Sequence, residues 1–137
     1  MKIYFIILMN LIIVTGLALT AFAGPEDKDE DLHKGWIHTE GEAGHLLIQG
    51  MFLNQSEQPV KIHYQLNIKK SGISGKTSSK QSGKELIEPS EEIVLATTTL
   101  NTTKADSYKI ELEIFDADSL IASDAILYSG ANKARSN

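Results

Sequence analysis

Between residues 60 and 69 the chain alternates strictly. Val60, Ile62, Tyr64, Leu66 and Ile68 are apolar or aromatic, and Lys61, His63, Gln65, Asn67 and Lys69 are polar. A period of two marks a half-buried β-strand, because successive side chains leave opposite faces of an extended chain. The pattern then changes abruptly. After the break Ser71-Gly72-Ile73-Ser74-Gly75, the run from Ser74 to Glu85 holds no aliphatic or aromatic residue. In extended form it places Lys76, Ser78, Lys80, Ser82 and Lys84 on one face and Thr77, Ser79 and Gln81 on the other. Such a strand has no face for a core and cannot be central in a sheet. It is a loop, or an exposed edge strand whose side chains serve something other than packing.

The rest of the chain reads as further strands. Structure is expected to begin near Trp36-Ile37-His38. His45 to Leu53 is apolar enough for a central strand, with Gly50 marking a bulge or a close approach. Asn54 to Pro59 and Pro89-Ser90-Glu91-Glu92 are turns by composition, and Asn101 to Asp106 is a loop. Ile93 to Leu100 is a strand rich in threonine. Tyr108, Ile110, Leu112 and Ile114 alternate with Lys109, Glu111 and Glu113, and Asp116-Ala117-Asp118-Ser119 forms a hairpin turn before Leu120–Tyr128. Short strands with polar turns at about 8–12-residue spacing predict an all-β fold, an immunoglobulin-like β-sandwich of about seven antiparallel strands. The domain is assigned to residues 35–128. Its core is assigned to Val60, Ile62, Tyr64, Leu66, Ile68, Tyr108, Ile110, Leu112 and Ile114. The tail 129–137, with Lys133 and Arg135, is expected to be flexible.

The N-terminal segment belongs to export. Lys2 precedes an apolar run, Ile3 to Leu19, broken by Asn10, Thr15 and Gly16 and followed by Thr20-Ala21-Phe22-Ala23. Small residues at Ala21 and Ala23 make a cleavage site, so residues 1–23 are predicted to be a signal peptide. The alternative is an uncleaved anchor, since the run approaches the about 18 residues that span a bilayer. Residues 24–34 contain Glu26, Asp27, Asp29, Glu30 and Asp31 with one apolar residue, Leu32, and read as a flexible acidic linker. The whole chain carries a net charge of −5; without residues 1–23, whose one charged side chain is Lys2, it carries −6. That argues against nucleic acid or an anionic membrane as partner after signal cleavage. The chain has no cysteine, which excludes disulfides, thiol chemistry and thiolate metal sites. The fold must stand on its core.

Candidate chemistry is sparse. His33, His38, His45 and His63 are not read as a metal site, and His63 falls on a polar face. Asp116-x-Asp118-Ser119 resembles the opening of a calcium loop but lacks the later ligands, and a turn is the better reading. No nucleophile motif, phosphate loop or triad order is present, so no enzyme, no metal and no cofactor is expected. Trp36 is read as a core or sheet-capping residue. Asn54-Gln55-Ser56 and Asn101-Thr102-Thr103 match the glycosylation sequon.

The lysine run admits two readings. Lysine on an edge strand commonly protects a protein from pairing with other chains. The same device can be turned on another protein's edges, which makes Lys69, Lys76, Thr77, Ser78, Ser79, Lys80, Gln81 and Lys84 the candidate partner-binding residues. Lys69 to Gln81 reads K-K-S-G-I-S-G-K-T-S-S-K-Q. This resembles the CsgC/CsgH-like family of curli amyloid assembly inhibitors, whose members carry G-x-S-G-x-[ST]-x-[ST]-[KR]-Q. Gly72, Ser74, Gly75, Thr77, Ser79, Lys80 and Gln81 fall on the matching positions, and the likeness extends more weakly from Pro59 to Tyr128. Where one branch of that family has a C-x-C pair, this chain has Val60-Lys61-Ile62, so it looks closer to the cysteine-free CsgH branch and any redox role is removed.

The resemblance implies a periplasmic protein of a Gram-negative cell, and the chain is expected to be a monomer. Its partner would be the curli major subunit or a similar amyloidogenic secreted protein, held in a non-amyloid state. An edge strand can do this by pairing with an incipient cross-β strand and refusing the next, or its lysines can attract acidic subunits by charge alone. A competing class is a structural or adhesive immunoglobulin-like module, or a chaperone for another surface fibre, binding tightly through an apolar patch.

Overall fold

The computed structural model describes residues 32–42, 44–73 and 75–130. The segment read as a signal peptide, most of the stretch read as an acidic linker and the tail from residue 131 lie outside them. The described residues form β1 (His33–Glu42), β2 (His45–Asn54), β3 (Val60–Gly72), β4 (Gly75–Ile87), β5 (Glu92–Leu100), β6 (Ser107–Asp116) and β7 (Ser119–Tyr128). They build two antiparallel sheets, a smaller one in the order β1-β2-β5 and a larger one in the order β4-β3-β6-β7. The chain is thus all-β with seven strands, as the alternation predicts. β1 starts at His33, inside the stretch read as linker. His33 pairs with Asn54 and stacks on Phe52 with ring centroids 5.8 Å apart, contacts that an acidic composition does not reveal.

The alternating residues become the core. Val60, Ile62, Leu66 and Ile68 of β3 and Ile110, Leu112 and Ile114 of β6 are buried against Ile37, Ile48, Phe52, Leu95 and Ala96 of the smaller sheet. Tyr64 and Tyr108 are half-buried at its margin and pack against it. The register β3 to β6 aligns Leu66 with Leu112 and Ile68 with Ile110, which stacks the apolar rows of both central strands on one face. Gly50 combines both expected roles. The β2–β5 register shifts between Gly50 and Met51, and a Cβ at Gly50 would lie 3.2 Å from Leu112 Cδ1.

The two sides of the sandwich close differently. On one side β1 lies against β7 and β6, and the backbone N–H of Ile37 donates to Asp124 Oδ2 at 2.8 Å. On the other side β4 and β5 are held together at one corner, where the connection 88–91 folds onto Asn54. Asn54 is fully buried; its Nδ2 donates to the carbonyls of Gln58 and Ile87, and its Oδ1 accepts from the Ser56 backbone and hydroxyl. Its backbone N–H donates to Glu91 and its carbonyl accepts from Ser90. Trp36 is not a core residue. It sits half-buried on the outer face of the smaller sheet, in one cross-strand row with Met51 and Val94.

Candidate functional site: a lysine-bearing edge strand

β4 is an edge strand and not a loop. It is 13 residues long, ends at Ile87, beyond the polar run that stops at Glu85, and pairs with β3 from Gly75 opposite Gly72 to Ile87 opposite Val60. Ile87 is its one fully buried residue and anchors the strand in the core. From Gly75 to Lys80 every residue is exposed on both faces, and Gln81 and Gly83 are half-buried. Gly83 is opposite Tyr64, whose hydroxyl would come within 2.7 Å of a Cβ there, so glycine leaves room for the tyrosine ring to lie across the strand.

Register then decides what each face presents, because directly opposed residues share a face. Lys76, Ser78, Lys80, Ser82 and Lys84 share the outer face of the larger sheet with Lys61 and Lys69 of β3 and Lys109 of β6. Six lysines thus stand on one sheet face against two acidic residues, Glu111 and Glu113. Lys109 forms an ion pair with Glu111. Of the candidate residues, Lys69, Lys76, Ser78, Lys80 and Lys84 come together on this face, and Thr77, Ser79 and Gln81 turn to the opposite, inner side. Lys61 and Lys109 are absent from the candidate set. Each lies on the polar phase of its own alternation, but only the pairing of β3 with β4 and β6 brings them beside the others.

At the hairpin end of this face lies an open groove of about 500 Å³ whose lining includes Lys69, Lys76, Lys109 and Leu127. Leu127 is 75% exposed. Tyr108 and Tyr128 stack at the groove's end with centroids 5.0 Å apart. Burial, and then the neighbouring Tyr128, push the Tyr108 hydroxyl above the ordinary tyrosine value. The histidines stay apart: His38 contacts Glu40, His45 contacts Asn101, His63 stacks on Phe115 and His33 on Phe52. Among the described residues no group of three metal-ligating side chains converges. The arrangement offers a positive face and a free backbone edge, the equipment of a binding surface.

Solved structures share this fold. The curli protein CsgC of E. coli superposes with a TM-score of 0.60 at 22% identity, covering 68% of this chain and 96% of that one. CsgH of R. palustris superposes with a TM-score of 0.51 at 18% identity, covering 66% of this chain and 89% of the other. The chain has the fold of CsgC and CsgH. The fold agrees with the resemblance carried by Gly72 to Gln81. A β-glucuronidase of Bacteroides uniformis also matches, with a TM-score of 0.52 at 12% identity, but over only 14% of that enzyme. No protein-family model matches the sequence, and no curated protein matches it significantly.

Proposed function

We propose that this chain is an exported, chaperone-like binding protein that delays amyloid assembly by a curli-type subunit, and that it works in the periplasm without a cofactor. The observation that carries this reading is the segregation of charge. A chain of net charge −5 gathers Lys61, Lys69, Lys76, Lys80, Lys84 and Lys109 on one sheet face beside a free strand edge. Protection of the protein's own edge needs lysines on β4 alone. Lys69 and Lys109 are on inner strands of the sheet, where no edge needs protecting, so the wider face fits a role towards a partner. A positive face raises the encounter rate with an acidic chain, and a free edge can pair with an incipient cross-β strand. The CsgC and CsgH fold, shared over most of their lengths, supports the same assignment.

The test is fibril formation by the major curli subunit, followed by thioflavin fluorescence at substoichiometric inhibitor. The wild type is expected to lengthen the lag. Lys76→Glu, Lys80→Glu and Lys84→Glu together should abolish the delay while the domain stays folded, because exposed substitutions usually change stability within about ±0.5 kcal/mol. A folded triple variant that delays fibrils at wild-type ratios would sink the electrostatic role of the strand.

One observation favours a second reading. Trp36, Met51 and Val94 form an apolar row on the outer face of the smaller sheet, such as an adhesive module uses. That reading requires tight, stoichiometric binding that Trp36→Ala destroys and the triple glutamate variant leaves intact.

A further inference from the structure

The smaller sheet has three strands and the larger has four. β1 covers β7 and β6 on the closed side, while β5 meets β4 only sparsely. Thr77 and Ser79 of β4 are exposed although they share a face with the buried Ile68 and Leu66. The core layer therefore stops short. What is missing opposite β4 is one strand.

The edge bordering that gap is β5, which pairs with β2 alone. Free edges are usually guarded by lysine, proline or a bulge. β4 carries lysines, and the free edge of β1 is capped by Asp124 through the Ile37 N–H. β5 has neither lysine nor proline, and its one charge, Glu92, stands at its start. Its guard is a bulge: Gly50 pairs with Ala96 and Met51 with Val94, so Leu95 is the extra residue. Beyond it, Ala96-Thr97-Thr98-Thr99-Leu100 pairs in unbroken register with Gly50 to Leu46 and makes no backbone hydrogen bond outside its sheet among the described residues. This segment is rich in β-branched threonine and shows a regular, uncharged edge.

We propose that the free edge of β5 and the inner face of β4 together form a vacant strand site, which takes an extended segment whose inward side chains are Gln, Asn, Ser or Thr. A strand added to β5 lies about 4.8 Å beyond it, and facing sheets are about 10 Å apart, so the added strand covers Thr77, Ser79 and Gln81. Those hydroxyl and amide groups select polar partners, since an apolar strand laid over them would leave them dry and unpaired. Polar strands with Gln and Asn ladders are the stuff of cross-β zippers. Capture here occupies one edge of the incoming strand by backbone pairing. The lysines, on the opposite face of β4, attract the partner without touching the captured strand. The site deepens the proposed function and rests on it for the identity of the natural partner, but its occupancy can be read without that partner.

The probe is a soluble ten-residue peptide alternating Gln and Ser between lysine caps, with a Val/Ser peptide of equal length as comparison. Amide hydrogen exchange of the full chain is followed residue by residue. Exchange at the outward amides of Ala96–Leu100 is expected to slow by about tenfold once the Gln/Ser peptide exceeds its dissociation constant about tenfold. Thr77→Lys with Ser79→Lys fills the site from the exposed side and should abolish that protection without moving the melting temperature. The same double variant raises positive charge, so attraction alone predicts unchanged or stronger inhibition of curli fibrils, whereas the strand site predicts its loss. Absence of protection in β5, equal protection by the Val/Ser peptide, or protection that survives the double lysine variant would each overturn the site. Failure of the wild type to delay curli fibrils, with β5 protected by the Gln/Ser peptide, would instead remove the proposed function and leave the site standing.

Discussion

Single residues at the ends of the sandwich carry more of the architecture than their types suggest. Asn54 reads as turn material, yet the side chain is wholly enclosed and makes four hydrogen bonds, to Ser56, Gln58 and Ile87. Removing it leaves the buried Ile87 carbonyl without that donor, whereas the Gln58 carbonyl still accepts from the Ser56 hydroxyl. A buried group left unpaired costs about 1–3 kcal/mol, so Asn54→Ala is expected to lower stability by about that amount, read as a fall in the denaturation midpoint. Retention of the wild-type midpoint would show that the corner does not depend on this side chain. At the other end, a Cβ on Gly72 would fall 1.8 Å from Asp106 Oδ1. Asp106 is itself buried and accepts from the Thr103 backbone at 2.9 Å. The glycine that matches the family motif is therefore also a packing requirement of the β3–β4 hairpin.

Strands with a core face were legible from their hydrophobic period, and the strand without one was legible only as a polar run that is either a loop or an edge strand. β3 and β6 announce themselves by alternation, and their apolar phase is the buried one. Leu112 shows no exposed surface, so Leu112→Ala should cost about 2–5 kcal/mol, the range for buried leucine truncation. Thermal or denaturant unfolding measures this, and a loss below about 1 kcal/mol would mean that the two sheets are packed more loosely than the register requires. β4 gave no such signal, because a strand buried on neither face has no hydrophobic period. Its strand character comes from one backbone ladder with β3 and from Ile87 at its far end, both properties of tertiary structure. The start of β1 was hidden for a related reason: His33 is held by Phe52 and by pairing with Asn54, partners about twenty residues away. The candidate site divided in the same way. Alternation alone separated Lys76, Lys80 and Lys84 from Thr77 and Ser79. Adding Lys61 and Lys109 to the lysines required inter-strand register, which no local pattern encodes.

At the scale of the whole molecule, charge and shape are distributed so that the protein is acidic overall and basic on one face. Within that face two carboxylates oppose the lysines. Glu111 is committed to Lys109, whereas Glu113 stands between Gln65 and Ser123 and makes no ion pair among the described residues. Glu113→Gln keeps the shape and removes one negative charge from the face. An exposed charge pair contributes about 0.2–1 kcal/mol, at most about fivefold in an equilibrium, so under the proposed function the variant is expected to inhibit curli fibril formation at a lower ratio by up to that factor. The gain should appear at low ionic strength and vanish near 1 M salt, where the screening length falls to about 3 Å. Wild-type inhibition should weaken over the same range, but not disappear if backbone capture at an edge persists once attraction is screened. The outcome separates steering from holding: a variant that inhibits no better at low salt would show that the positive face does not recruit the partner, and inhibition that vanishes completely at high salt would show that attraction is all the protein has.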